Sequence, residues 1–286
     1  MRRPALRLAR ERAFVPVDYG VALQRYAPYI RRPLVEALTF RGSLLLGWFA
    51  SFLYLYISVA FWRGVYGSSE SAAGYTLPQM IAYMVGGTVL GAAFTNAASR
   101  RLARTVRDGT VVVDLLRPVW LPLLLLADSL GAVLGDVLVV GIPMLLTGGL
   151  AFHMIPPREP TAYLALLCLV PLGFLIRFLL SAIVGYTAFW TTLTGSLGDI
   201  VYWVFFNLFG GAFVPYAFFP KFLGAVLAWS PMASLYSAPL DVLVGKTPPS
   251  GAVPSILLDL AWVGLLSGAI WLLHRNAMRR VVSLGG

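Results

Sequence analysis

The residues able to carry chemistry are few. The 286-residue chain holds two histidines, one cysteine and 12 carboxylates. His153 and His274 lie far apart, and Cys168 sits inside an apolar run. There is no His-Glu-x-x-His, no Cys-x-x-Cys and no Ser/His/Asp set, so metal-assisted hydrolysis, dithiol exchange and acyl transfer lack their groups. Gly245-Lys246-Thr247 has the end of a phosphate-binding loop, but the glycine needed five residues earlier is Leu240. The chain reads as a non-enzyme without a cofactor or metal of its own.

Two kinds of reactive group remain. Asp136 and Arg177 each stand inside a long apolar run, where a lone charge is costly and a partner is expected. Counted from the outer ends of their helices, both lie roughly 25 Å deep at about 1.5 Å per residue. An Asp136–Arg177 ion pair between adjacent spans follows, either as a helix clamp or with a role in substrate handling. The other group is aromatic. Phe205, Phe206, Phe209, Phe213, Tyr216, Phe218, Phe219 and Phe222 crowd one short stretch. They form an interfacial belt and packing, or a gate and substrate path (Phe205, Phe209, Phe213, Pro215, Phe219) able to hold an apolar, even cationic, molecule through ring contacts.

The elements that position these groups are dictated by composition. Apolar residues are 59% and charged residues 12%, with mean hydropathy +0.80; soluble domains run near 45–50% and about 25%. Too little charge is left to cover a soluble globule, so the fold class is an all-α polytopic membrane protein. A span needs about 20 apolar residues. Six stretches qualify: 42–62, 78–99, a span within 119–152, 161–185, 197–219 and 254–273. The 119–152 run is overlong, so a short interfacial piece near 120–126 is expected before its span, with Pro122 starting or kinking a helix. Phe222–Val244 is apolar too, but Pro231 and Pro239 interrupt it. It reads as an outer re-entrant hairpin (213–245) between the fifth and sixth spans, packed on the bundle.

Charge sets the orientation. Of the 22 Lys and Arg, 17 fall in the segment up to Arg41, in the loop after the second span and in the tail, against four in the alternate connections. By the positive-inside rule both termini and that loop are cytoplasmic. The chain divides into residues 1–41, a tail with an amphipathic interface helix over Tyr19–Phe40; the 42–273 six-helix transmembrane domain; and a 274–286 cytoplasmic tail. The net charge of +10 is read as attraction to anionic lipids, not to nucleic acid.

The inner loop 100–118 alternates cations with apolar residues. Asp108-Gly109 makes a turn, and Thr110 can cap a short helix over 111–116. From physics alone it is either a solvated connector or a helix that docks in a partner's groove.

The chain resembles membrane subunits of type-2 ATP-binding-cassette exporters, and among them bacterial separate permeases that include viologen and drug exporters. The resemblance rests on Asp108-Gly109 with Asp114-Leu115-Leu116-Arg117-Pro118, on Gly210-Gly211-Ala212-Phe213-Val214-Pro215 with Phe218-Phe219-Pro220, and on Trp229-Ser230-Pro231 with Ala238-Pro239 and Gly245. It implies a coupling helix seated on an ATPase, carried here by Arg104, Arg107, Asp108, Gly109, Asp114, Leu115 and Arg117. It implies two cytoplasmic ATP-binding subunits that hold ATP and Mg, a second permease, identical or related, and a bacterial cytoplasmic-membrane location. The function implied is export of an amphipathic or hydrophobic small molecule: a drug, natural product or lipid. On that reading Asp114→Arg or Leu115→Glu uncouples transport without unfolding. The alternative is a stand-alone ion- or proton-coupled transporter.

Overall fold

The computed structural model describes residues 19–39, 41–94, 96–117, 119–154, 156–157, 159–191 and 204–284. Five helical stretches among them are long and apolar enough to cross a bilayer: 45–66, 77–107, 121–152, 160–189 and 249–280. Of the expected span 197–219, residues 197–203, including Asp199, lie outside the described residues.

Helix α1 (Tyr19–Thr39) covers the stretch expected to lie in the interface and runs unbroken through Pro28 and Pro33. It lies along α6 (Leu121–Asp136). The contact is possible because Gly131 and Gly135, four residues apart on α6, face the Ile30 backbone and the Ala37 Cβ; a side chain at Gly131 would strike Ile30 directly. Such small-residue spacing lets helix backbones approach closely.

Helix α2 (Arg41–Tyr66) is apolar on every side. Leu55, Val59, Trp62 and Tyr66 form its buried stripe, while Leu45, Leu46, Phe49 and Phe61 are more than half exposed. A helical stripe with apolar residues left outside is what a lipid solvent permits. A two-residue ribbon follows, β1 (Ser71–Ala72) and β2 (Tyr75–Thr76), antiparallel with Ala72 opposite Tyr75. Its turn residues Ala73 and Gly74 both have positive φ, the backbone that matches a two-residue hairpin.

Helix α3 (Leu77–Ala93) is the centre of the bundle, with residues 80–87 all buried. The path breaks near Asn96 and resumes as α4 (Ala97–Arg107), then α5 (Val111–Leu116). The 119–152 run corrects the sequence expectation. No separate interfacial piece precedes the span; α6 continues through a widened π turn (Val137–Gly141) into α7 (Ile142–Phe152). Pro122 stands in the first turn of α6, where its missing N–H costs nothing. The widened turn sits just before Pro143, whose ring and missing N–H disturb the preceding turn.

Helix α8 (Pro160–Tyr186) packs against α4 and α12. Residues 204–210 are helical and form α9. The next segment folds into α10 (Lys221–Trp229) and α11 (Ser237–Leu243). Pro231 falls in the turn between them and Pro239 in the first turn of α11. Helix α11 packs on α3 and α8, with Gly86 beneath Leu240 and Leu243 and Gly173 beneath the Ser234 carbonyl. Helix α12 (Ala252–Leu284) runs well past 273, so the carboxy-terminal residues continue the last helix instead of leaving it as a loose tail.

Candidate functional site

At one end of the bundle, α4 and α5 form a helical elbow. Gly109, at φ +69°, makes the turn in a conformation glycine adopts at little cost. Thr110 does not cap α5; its hydroxyl points back to the Thr105 carbonyl at 3.5 Å. The elbow is braced from inside. Arg101 on α4 bridges Asp114 of α5 (3.3 Å) and Asp128 of α6. Arg117 reaches Asp114 at 3.6 Å and donates to the Tyr29 hydroxyl at 2.8 Å. The Tyr29 ring on α1 meets both guanidiniums, at 5.6 and 5.8 Å. Three residues later the Trp120 N–H donates to the Tyr26 hydroxyl at 3.1 Å. Helix α1 is therefore tied to the elbow by two tyrosines.

This arrangement redistributes the seven residues assigned to coupling. Arg104, Arg107, Asp108 and Gly109 are exposed, and Arg117 is partly so. Leu115 is half-buried and Asp114 is buried, only 8% exposed. Asp114 is an internal brace, so reversing its charge strikes the fold as well as any docking. The outward face belongs to Val112 and Leu116, 47% and 81% exposed. Sequence reasoning passed over them, although residues four apart on a helix share a face and these two carry no packing partner in the elbow's charge network.

A cavity of about 410 Å³ lies deeper, between α2, α3, the α6–α7 junction, α8 and α9. Asn96, at the break between α3 and α4, accepts a hydrogen bond from Arg177 Nη2 at 2.9 Å. Arg177 is 2% exposed, and its guanidinium lies 4.6 Å from the Phe206 ring centre. Asp136, beside the widened turn, and Arg100 line the same cavity. Asp136 and Arg177 thus face one space as their depths implied, yet the Asp136–Arg177 pair is not among the ion pairs of the described residues. Among the described residues, the Asn96 amide and the Phe206 ring lie against the Arg177 guanidinium. Asn207 and Tyr236 complete the polar lining, joined by a 2.9 Å hydrogen bond. Asn96 and Asn207 were not picked out from sequence, and Phe206 only as one of the aromatic group; a single amide within an aromatic run was the signal available at Asn207.

The five proposed gate residues do not act as a cluster. Phe213 lines the cavity and meets Tyr54 edge-on at 6.2 Å. Phe205 and Phe209 meet edge-on at 4.9 Å, with Phe205 46% exposed. Pro215 is buried, and Phe219 rests edge-on against Tyr216 at 5.9 Å.

At the opposite end of the bundle from the elbow, a polar latch holds the α10–α11 hairpin to the ribbon. Tyr75 donates to Asp241 Oδ1 at 2.6 Å. Lys246 donates to the Gly74 carbonyl at 2.8 Å and lies 4.9 Å from the Tyr75 ring centre. Gln79 reaches the Val244 carbonyl at 3.1 Å, and Tyr83 reaches that of Gly211 at 2.8 Å. Burial is the main cause that pushes the Asp241 carboxyl up to about 6, against the pull of Tyr75 and Lys246.

The family model described as ABC-2 family transporter protein matches residues 52–285. No curated protein and no solved structure matches the chain. The match takes in every element from α2 onward, so the chain belongs to the ABC-2 transporter family. It is a multi-pass membrane component of an ABC transporter, the part that works with ATP-binding subunits and not the catalytic part.

Proposed function

We propose that this ABC-2 family member is the six-span permease of an ATP-driven exporter in a bacterial cytoplasmic membrane, with residues 197–219 supplying the sixth crossing. Both termini and the α4–α5 elbow face the cytoplasm, and the α10–α11 hairpin is re-entrant from the outer side. Two ATP-binding subunits, which hold ATP and Mg, seat on the elbow, and two permeases pair to form the path. The cargo is an amphipathic or hydrophobic small molecule such as a drug, natural product or lipid.

One observation carries the reading. Helix α5 presents Val112 and Leu116 outward while Asp114, on its other face, is locked by Arg101 and Arg117. An apolar helix face left open but rigidly braced behind suits docking into a groove. It offers little to a solvated connector, which gains nothing from exposed Leu116.

Force applied to α5 has a route inward. Helix α4 carries it about 16 Å, at 1.5 Å per residue, to Asn96, which holds Arg177 at the cavity wall. Nucleotide-driven closure of the partner subunits would tilt the elbow, shift Asn96 against α8 and reshape the cavity, with the latched hairpin giving way on the far side.

The test is reconstitution. The chain alone in proteoliposomes should neither hydrolyse ATP nor move an amphipathic dye; added ATP-binding subunits should confer both. Dye transport by the chain alone, driven by an ion gradient without ATP, would overturn the proposal in favour of an ion-coupled transporter.

A further inference from the structure

A polar cavity behind the elbow has no role in docking or transport as derived so far. About 770 Å³ is enclosed between α1, α4, α5 and α6, within the size range of small-molecule sites. Six guanidiniums line it: Arg25 and Arg32 from α1, Arg100, Arg101 and Arg104 from α4, and Arg117 after α5. Three carboxylates face them, Glu36, Asp114 and Asp128, which leaves a surplus of three positive charges. The ion pairs consume Asp114 and Asp128 through Arg101 and Arg117. Arg25, Arg32, Arg100 and Arg104 have no carboxylate within 4 Å among the described residues. Four guanidiniums therefore line an open space in which Glu36 is the one lining carboxylate outside the ion pairs, and Arg32 and Arg100 feel Asp128 and Asp136 only beyond contact distance; the net positive charge left there favours an anion among them.

We propose that this cavity binds the phosphate headgroup of an anionic phospholipid from the adjoining leaflet, and that the bound lipid fastens α1 to the α4–α5 elbow. Guanidinium groups bind phosphate oxygens in bidentate fashion, and basic pockets between helices at the cytoplasmic surface suit acidic lipid heads. Two details favour a lipid over an acidic segment of a partner protein. The cavity takes Thr110, Val113, Asp114 and Arg117 from α5, one side of that helix at 100° per residue. Val112 and Leu116 lie on the opposite side, so a docked partner leaves the cavity free. Beside it, Val35 and Leu38 on α1 are each about half exposed, an apolar strip able to lie against acyl chains.

The proposal rests on the elbow lying at a membrane surface but not on ATP-driven export. Its test uses the full chain in neutral detergent, where leaflet and orientation play no part. Native mass spectrometry and thermal unfolding are followed while phosphatidylglycerol, phosphatidylcholine or inorganic phosphate is added. Phosphatidylglycerol should remain bound and raise the unfolding temperature; phosphatidylcholine and phosphate should do neither. In Arg25→Gln/Arg32→Gln, phosphatidylglycerol should bind about thirtyfold more weakly, for two charges at roughly 1 kcal/mol each. An Arg275→Gln control, outside the cavity, should bind as the native chain does. Both arginines of the double variant are exposed and unpaired by hydrogen bonds, so it should fold; its unfolding temperature without lipid checks that. Equal binding of phosphatidylcholine, equal protection by inorganic phosphate, or undiminished phosphatidylglycerol binding in the double variant would each overturn the proposal. Loss of ATP-binding subunits with lipid binding intact would assign the cavity to the partner instead.

Discussion

Leu116→Glu separates docking from folding more cleanly than any other change in the chain. Leu116 is 81% exposed and Val112 47% exposed, so neither contributes much to the fold of the isolated permease. Burying a leucine side chain fully is worth roughly 1.5–3 kcal/mol. If a partner groove covers Leu116, most of that lies in the interface, and a glutamate there adds the cost of desolvating a charge. The expected loss is about 2–3 kcal/mol of docking energy, roughly 30- to 150-fold in affinity. The stability of the chain alone should change by no more than about 0.5 kcal/mol. Asp114→Arg makes the contrast. It removes one carboxylate of the Arg101 and Arg117 network and adds a third cation, so about 3 kcal/mol of stability should go with it. The assay has two arms: titration of the ATP-binding subunit onto permease held in nanodiscs, and thermal unfolding of the permease alone. Leu116→Glu binding the subunit with native affinity would refute the docking assignment. Asp114→Arg unfolding at the native temperature would refute the bracing argument.

Three further outcomes follow from other parts of the molecule. Arg177→Met removes the hydrogen bond to Asn96 and the stacking on Phe206; about 2 kcal/mol of stability should be lost in thermal unfolding, and Arg177→Lys should not restore it, because an ammonium cannot reproduce the planar contact. Gly131→Leu drives a side chain into the Ile30 backbone, costing about 1–3 kcal/mol and freeing the Trp120 amide from Tyr26, so that this amide should exchange hydrogen faster, while exchange at the native rate would show that α1 does not depend on this contact. Asp241, raised from 3.8 to about 6, keeps its proton in the folded chain to a higher pH than in the unfolded chain, so its stabilisation is full below about pH 4 and is lost as pH rises to about 6; Asp241→Asn should flatten that dependence and gain up to about 2 kcal/mol at pH 7, read from hydrogen exchange of the α10–α11 amides, and parallel pH profiles for both proteins would sink the idea.

The spans were legible because a bilayer imposes one coarse requirement, about 20 apolar residues, that needs no knowledge of neighbours. The helicity of α1 and of α5 was legible for similar local reasons: a 3.6-residue pattern in one, a glycine turn and a short apolar run in the other. What stayed hidden depends on rotation about a helix axis. Asp114 and Leu116 are two residues apart and point to opposite sides of α5, and only the position of Arg101 and Tyr29 decides which side is inside. The same holds at depth. Asp136 and Arg177 reach one level of the bundle by counting, but whether they touch depends on which faces α6 and α8 turn to each other. The break between α3 and α4 inserts Asn96 there, and no periodicity foretells that an amide interrupts an apolar span to serve a cation on another helix. The continuous α6–α7 helix was misjudged because the cytoplasmic extension of a span is invisible to hydropathy. Gly131 and Gly135 marked it, since close approach between two helices needs them and a lipid-facing surface does not.

The placement of Arg100 joins these features. It borders both the deep cavity and the basic cavity of the elbow, one turn from Asn96 on α4 and one residue before Arg101, which clamps α5 to α6. A displacement of α4 by a single residue's rise, about 1.5 Å, would move all three at once. It would stretch the Arg177–Asn96 bond, alter the wall shared by the two cavities and strain the Arg101 bridge to Asp128. Packed interiors switch between discrete arrangements and do not deform smoothly, so α4 is the element in which two states of this permease should differ most. Helix α1, fixed to α6 through glycine contacts and to the elbow through Tyr26 and Tyr29, resists that displacement. On the proposed docking, α1 would set the force that a seated subunit must deliver, and a lipid head held among its arginines would raise that threshold further.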